Sequence, residues 1–319
     1  MKITVIGCGR WGSLITWYLD RLGHEVALYG REGSSNMQRF LRERKNDLLT
    51  MPESVRLTTD ISVANEADVL IVSIDSQGLR RLFDRDLGPL DLKNKIIVLC
   101  MKGIEITTGK RLSEVVEELV DPSNRVAVWL GPGHVQEFYA GIPNCMVIDS
   151  RHEDVKMRLV DAFSGELIRF YYGQDLIGNE IGAAAKNVVG IAAGFLDGMR
   201  LSTLKGALMS RGTREIARLI EAMGGNPVSA YGLCHLGDYE ATVFSPFSHN
   251  RRFGELYIKG ERFDALAEGY YTVAALHKIA QTKGIELPIC EAVYRVLYEK
   301  ADFHFEMDAL FHRTLKNEF

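Results

Sequence analysis

The sequence predicts an α/β protein: an N-terminal doubly wound, mostly parallel sheet followed by an all-α C-terminal domain. Three observations predict it. Over the first half, short apolar runs rich in β-branched residues alternate with stretches that are apolar at helical period. Several of those runs, ADVLIVSI and KIIVLCMKG among them, are continuously apolar, as expected of strands covered on both faces. From about Asn179 onward β-branched runs become rare and helical period takes over. The chain therefore reads as two domains, 1–178 and 179–319.

The elements follow in order. ITVIG opens as a strand, and WGSLITWYLDRLG reads as a helix ended by Gly23. HEVALYG is the second strand, ADVLIVSI and KIIVLCMKG are inner strands, RVAVWLGPG and CMVIDS add two more, and LIRFYY is the last. IGAAAKNVVGIAAGFLDG, GALMSRGTREIARLIEAMGG and the segments from Arg262 onward read as helices. Between them lies GLCHLGDYEATVFSPFSHNRRFG, a long polar stretch rich in Gly, Ser and Pro. A loop of that length in a compact domain is expected to carry function.

Composition narrows the function classes. Net charge is −4, and the densest basic cluster, Arg39, Arg42, Arg44 and Lys45, is broken by Glu43. It reads as a solvated helix face, so no nucleic-acid partner is expected. The five cysteines, Cys8, Cys100, Cys145, Cys234 and Cys290, are scattered and show no C-x-x-C spacing. Neither a disulfide framework nor a metal site is expected, and reduced thiols fit a cytoplasmic protein. The longest stretch of small apolar residues carries Lys186 and falls short of a bilayer span, so no membrane insertion is expected. The first apolar run meets glycines at once and reads as a strand rather than a secretory signal.

GCGRWG follows the run Ile3 to Ile6 directly. A strand before it, a helix after it and a second strand ending near Tyr29 are the context of a dinucleotide-binding, Rossmann-type unit. Gly7 permits the tight turn, Gly9 lets the backbone approach a diphosphate, and Gly12 lets helix and strand pack closely. The diphosphate sits on N–H groups at the helix N-terminus. At the end of the second strand stand Tyr29, Gly30, Arg31 and Glu32. Arg31 suits a 2′-phosphate, which favours NADP(H), while Glu32 leaves NAD(H) open.

Six longer motifs extend the pattern: GCGRWGSLI; VSIDSQGLR, with Ile74 where a proline is usual; KGIEITTGKRLSEV; GPGHVQEFYAGIP; EIGAAAKNVVGIAAGFLDG; and GLCHLGDYEATVFSPFSHNRRFG. In that order, nearly end to end, they resemble the soluble, bacterial-type NAD(P)-dependent glycerol-3-phosphate dehydrogenases. The resemblance implies a Rossmann domain followed by a helical domain. It also implies hydride transfer between NAD(P)H and dihydroxyacetone phosphate, giving sn-glycerol 3-phosphate. A small phosphorylated substrate, a place in glycerophospholipid and carbohydrate metabolism and a homodimer come with it.

By this resemblance Lys186 is the proton donor and acceptor. Hydride addition turns a ketone oxygen into an alkoxide, and a positioned lysine can protonate it. The apolar neighbours of Lys186 should lower its pKa unless it snorkels to the surface. Lys102 closes the strand KIIVLCM, outside whose carboxyl end ligands sit. A cation there can polarise the carbonyl or hold the phosphate; the alternative is a surface lysine. Asp238 completes the catalytic group by orienting Lys186 or bonding the substrate hydroxyl, with an Asx turn as the alternative. Asn187 either meets the phosphate, holds the neighbouring loop or lies idle on its helix. Substrate contacts are expected from Lys102, Gly131, Gly133, Asn187, Asp238, Thr242, Ser248, His249, Asn250 and Arg251. Cofactor contacts are expected from Gly7, Gly9, Arg10, Trp11, Gly12, Arg31, Lys102, Val135 and Glu268.

The sequence departs from the family at one telling place. The family's S-R-N-R is here Ser248-His249-Asn250-Arg251. The arginine replaced by His249 is the one that grips the substrate phosphate, and the cofactor, in the family. Histidine offers one N–H toward a ligand and is mostly neutral at pH 7, where arginine offers a charged fork. Three readings follow: Arg251 or Arg252 swings in, protonated His249 binds more weakly, or the substrate is a different small hydroxy or keto compound. In DGMRLSTLKGALMSRG, one residue shorter than the family's glycine-rich stretch, Arg200 and Lys205 either compensate or stay at the surface. His134 in GPGHV reads as a satisfied structural histidine. A rival of another class is a non-catalytic NAD(P)-binding sensor, against which intact Lys186, Lys102 and Asp238 speak.

Overall fold

The computed structural model describes residues 1–315 and residue 317. Eight strands form one sheet: β1 (Lys2–Ile6), β2 (Glu25–Tyr29), β3 (Arg56–Thr58), β4 (Val69–Val72), β5 (Ile96–Leu99), β6 (Arg125–Leu130), β7 (Asn144–Ser150) and β8 (Ile168–Tyr172). Their order is β3-β2-β1-β4-β5-β6-β7-β8. Every neighbouring pair is parallel except β6 and β7. Chain order reverses at β1, which lies between β2 and β4, and such a switch point opens a crevice at the strand carboxyl ends. The short edge strand β3 has no counterpart in the sequence reading; its three residues carry too little apolar pattern to register.

The inner strands alternate between two cores. Val69, Ile71 and Val98 face one apolar layer, and Leu70, Val72, Ile97 and Leu99 face the other. Helices α1 (Arg10–Arg21), α2 (Ser35–Glu43), α3 (Leu79–Arg81), α4 (Leu112–Glu117), α5 (Val135–Tyr139) and α6 (Glu153–Phe163) connect the strands. α1 and α6 cover the first layer, α3 and α4 the second. This is why β4 and β5 are buried along their whole length.

After β8 the described residues form no further strand. α7 (Leu176–Gly198) starts at the Asp175 cap, whose carboxylate accepts from the Gly178 N–H. It is followed by α8 (Lys205–Ala222), α9 (His249–Ile258), α10 (Glu268–Lys283), α11 (Pro288–Tyr294) and α12 (Phe303–Phe311). α7 is buried nearly all round, as a small-residue helix at a domain's centre should be. α9 crosses it closely: a Cβ on Gly194 would lie 2.0 Å from the Arg251 carbonyl oxygen, and one on Gly254 2.2 Å from that of Ile191. Only glycines allow the two backbones to meet there.

The long polar stretch is not wholly a loop. It folds into short helical turns at Leu236–Asp238 and Glu240–Phe244, and its HNRRFG end is the start of α9. Ser248 makes that possible, because its hydroxyl accepts from the Arg251 N–H and caps the helix.

Candidate active site

β1 ends at Gly7, whose N–H donates to the Tyr29 carbonyl at 3.0 Å and whose φ of +113° only glycine adopts readily. α1 begins immediately after, with Gly9 as a cap that has no side chain and no acid in its first turn. A Cβ on Gly12 would lie 1.9 Å from the Gly7 carbonyl oxygen, whereas one on Gly9 would meet nothing within 4 Å. Two glycines are thus demanded by packing, and the third keeps bare N–H groups accessible. Those features fit a dinucleotide diphosphate at the α1 N-terminus. Trp11 packs on Phe138 of α5, and Val135 is buried at the start of that helix. Arg31 lies exposed beyond the end of β2, with Glu32 beside it.

The chemistry converges where the sheet's carboxyl ends meet the helical domain. Lys102 follows β5; its Nζ donates to the Gly131 carbonyl at 2.6 Å and to Asp238 Oδ2 at 2.7 Å. Lys186 projects from α7; its Nζ lies 2.9 Å from the same Asp238 Oδ2 and donates to Thr242 Oγ1 at 2.7 Å. One carboxylate oxygen therefore holds two ammonium groups. Each ammonium has three donors and spends two on the protein, so each keeps one for a ligand. Asp238 Oδ1 is buried and has no partner among the described residues. The cluster carries two cations to one anion, which suits a developing alkoxide or a phosphate.

Lys186 is buried, and desolvation lowers its pKa to about 8; Asp238 opposes the shift and Lys102 adds to it. It neither snorkels nor stays fully committed to the charged form. Lys102 is not a free surface lysine, and Asp238 makes no Asx turn, since its Oδ2 is held by the lysines and its Oδ1 has no partner among the described residues. Asn187 holds the scaffold together: its amide donates to the Lys102 carbonyl at 3.1 Å and accepts from Asn250 at 3.0 Å. Asn250 in turn accepts from the Gly269 N–H. Glu268, at the start of α10, accepts from the Ser76 N–H and hydroxyl, and so clasps the helical domain to the loop after β4. Ser76 had only its place in VSIDSQGLR as a signal. Gly131 and Gly133, with φ of +129° and +141°, line the turn after β6.

Three expectations need correction. Arg251 does not swing into the site: its guanidinium lies 2.7 Å from Asp197 and 3.2 Å from Glu255, and Arg252 pairs with Glu255. Lys205 is neither a surface residue nor a ligand for the site; it is buried against the same Asp197 and the Val243 carbonyl. His134 is not a satisfied structural histidine. Its Nε2 is buried without a partner among the described residues, and burial with the nearby lysines lowers its pKa to about 4. A single sequence shows none of this, because each depends on which distant carboxylate or backbone group folds against it.

No helix among the described residues is long and apolar enough to cross a membrane, and none of their acidic, histidine and cysteine side chains cluster as a metal site.

A Rossmann-type sheet with a bare glycine turn, joined to a helical domain through a Lys-Asp-Lys cluster, defines a nicotinamide-dependent dehydrogenase. Comparison with known proteins makes this particular. Residues 2–156 match the family model for the NAD-dependent glycerol-3-phosphate dehydrogenase N-terminus, and residues 175–307 match that for its C-terminus. The chain belongs to this family and is an NAD(P)-dependent oxidoreductase with glycerol-3-phosphate dehydrogenase activity. It is 34% identical to "Glycerol-3-phosphate dehydrogenase [NAD(P)+]" of Thermoanaerobacter sp. (strain X514), covering 100% of this chain and 99% of the relative. It is 36% identical to the protein of that description from Prosthecochloris aestuarii, over 94% of each chain. The crystal structure of glycerol-3-phosphate dehydrogenase from Coxiella burnetii superimposes with a TM-score of 0.91 at 28% identity, covering 98% of this chain and 99% of that one. A sensor without turnover is therefore set aside.

Proposed function

We propose that the enzyme reduces dihydroxyacetone phosphate to sn-glycerol 3-phosphate with Lys186 as the proton donor. The observation that supports this most is the sharing of Asp238 Oδ2 by Lys186 and Lys102. The bound nicotinamide supplies the hydride. Lys102 and Lys186 each point a remaining N–H at the carbonyl oxygen and polarise it. Lys186 then gives up its proton to the alkoxide, which its lowered pKa makes easier. Asp238 keeps both ammonium groups in place, and its free Oδ1 accepts from a substrate hydroxyl. Thr242 fixes the Lys186 rotamer, and Asn187 with Asn250 locks α7 to α9 beside it.

Gly7, Gly9 and Gly12 would hold the dinucleotide diphosphate, with Trp11, Val135 and Glu268 as further cofactor contacts. Arg31 favours the 2′-phosphate of NADP(H) over the diol of NAD(H). The dinucleotide-binding domain runs to 178 and the catalytic helical domain from 179, so the division lies in the first turns of α7. A cytoplasmic homodimer is the expected state of the protein. Oxidation of NADPH and NADH by the purified enzyme tests the reading, with dihydroxyacetone phosphate as substrate and dihydroxyacetone as control. Turnover confined to the phosphate ester supports it. Equal turnover of the unphosphorylated ketone overturns it.

A further inference from the structure

The mouth of the site lacks the arginine that the resemblance expects at position 249, yet another guanidinium stands there. Arg10, the first residue of α1, reaches from the glycine turn to the start of α9, and its Nη1 lies 2.7 Å from His249 Nε2. His249 Nδ1 lies 3.2 Å from the Leu266 carbonyl oxygen, which can only accept. The proton is therefore assigned to Nδ1, and the Nε2 lone pair accepts from Arg10. A protonated ring would set an N–H against the guanidinium. Burial and the Arg10 charge both push the His249 pKa down, against the Leu266 hydrogen bond, which favours a neutral ring in this arrangement.

Arg10 differs from the other arginines nearby. Arg251 and Arg252 are held by Asp197 and Glu255, while Arg10 forms no ion pair among the described residues. It is half-buried, and burial is the cause that lowers its pKa. It stands near the catalytic cluster: the half-buried His134 lies within range of the charges of Lys186, Asp238, Lys102 and Arg10. The pull of His249 draws the guanidinium toward the α9 N-terminus, whose Asn250 is bonded to Asn187 beside Lys186. One of its five N–H donors is used on His249, which leaves an edge for two oxygens of one phosphate.

We propose that Arg10, aimed by His249, grips the phosphate of the substrate, so that the guanidinium enters from the cofactor turn instead of from α9. His249 is then a positioning residue. The proposal rests on the reading of the substrate as a phosphate ester. The dinucleotide diphosphate offers the same oxygens close by, so the test must separate the two.

Four proteins decide it: wild type, Arg10→Ser, His249→Arg and the double variant. The Michaelis constant for dihydroxyacetone phosphate is measured for each. Binding of glycerol 3-phosphate, with glycerol as control, and of NADPH is measured by titration. Arg10→Ser is expected to raise the Michaelis constant about 10–100-fold, the loss of a charged hydrogen-bonding pair, with a much smaller change in kcat. Adding His249→Arg to Arg10→Ser restores most of that loss, since the fork returns from α9. His249→Arg alone gives no such gain, because two guanidinium groups crowd one phosphate. Equal affinity for glycerol 3-phosphate in wild type and Arg10→Ser overturns the proposal. So does a loss confined to NADPH, or a gain from His249→Arg that is the same with and without Arg10. Wild-type enzyme that binds NADPH but ignores dihydroxyacetone phosphate sinks the substrate reading itself, and is told apart by its independence of the variants.

Discussion

Lys186 concentrates the residue-scale argument. An ammonium buried on a small-residue helix is costly unless paired, and Asp238 and Thr242 supply the pairing. Lys186→Met is expected to lower kcat about 10²–10⁴-fold. The same change should not lower the melting temperature at neutral pH. The folded-state pKa, about 8, lies below the ordinary 10.5, so burial of the charge opposes folding below pH 8 and ceases to do so as pH rises through that range. A thermal melt beside the rate assay checks both halves. Reduction needs the protonated lysine, so kcat for reduction should be level below about pH 8 and decline above it. Asp238→Asn removes the group that holds this pKa up and leaves Lys102 facing Lys186. The falling limb of the pH profile should then move to lower pH; a limb that stays in place contradicts the assignment of that titration to Lys186.

At the scale of elements, the crossing of α7 and α9 positions the site. Gly194 and Gly254 let the backbones touch, and the touch sets Asn250 against Asn187 and His249 within reach of Arg10. Gly194→Ala must push α9 outward, because its methyl would overlap the Arg251 carbonyl. Overpacking of this kind costs about 1–3 kcal/mol. Chemical denaturation should show that loss, and the Michaelis constant for dihydroxyacetone phosphate should rise with it. A variant as stable as the parent with unchanged kinetics argues against the crossing as the positioning device. Both helices were legible in part. The α7 stretch is readable from its small-residue period, but the start of α9 reads as loop, since HNRRFG has polar residues where the apolar stripe should begin. The Ser248 cap decides that segment, and a cap is a local bond that composition does not announce.

Over the whole molecule, the sheet supplies the cofactor turn and Lys102, and the helical domain supplies Lys186 and Asp238. The halves are joined at Lys102–Asp238, at Asn187 with the Lys102 carbonyl, and at Ser76–Glu268. Catalytic geometry thus depends on the halves being held in register. Glu268→Ala removes a clasp without touching the lysines and should weaken NADPH binding, read by fluorescence titration. Arg31 is the matching test of cofactor choice. Arg31→Ala should raise the Michaelis constant for NADPH far more than that for NADH; equal effects would remove the 2′-phosphate from its role.

The sequence carries the two-part fold, because strand and helix periods are local and short apolar runs of β-branched residues between turn signals suit inner strands. It also determined the glycine turn, whose residue types follow from backbone sterics, and the identity of the lysines and aspartate carried by long motifs. Tertiary structure alone decided who partners whom. Asp238 serves two lysines, Asp197 takes Arg251 and Lys205, His134 is left unsatisfied, and His249 accepts from Arg10 across 239 positions of chain. Charge and hydrogen-bond pairing act over a few ångströms in space and are blind to separation along the chain, so a motif shows which groups are present but not which of them remains free to hold a phosphate.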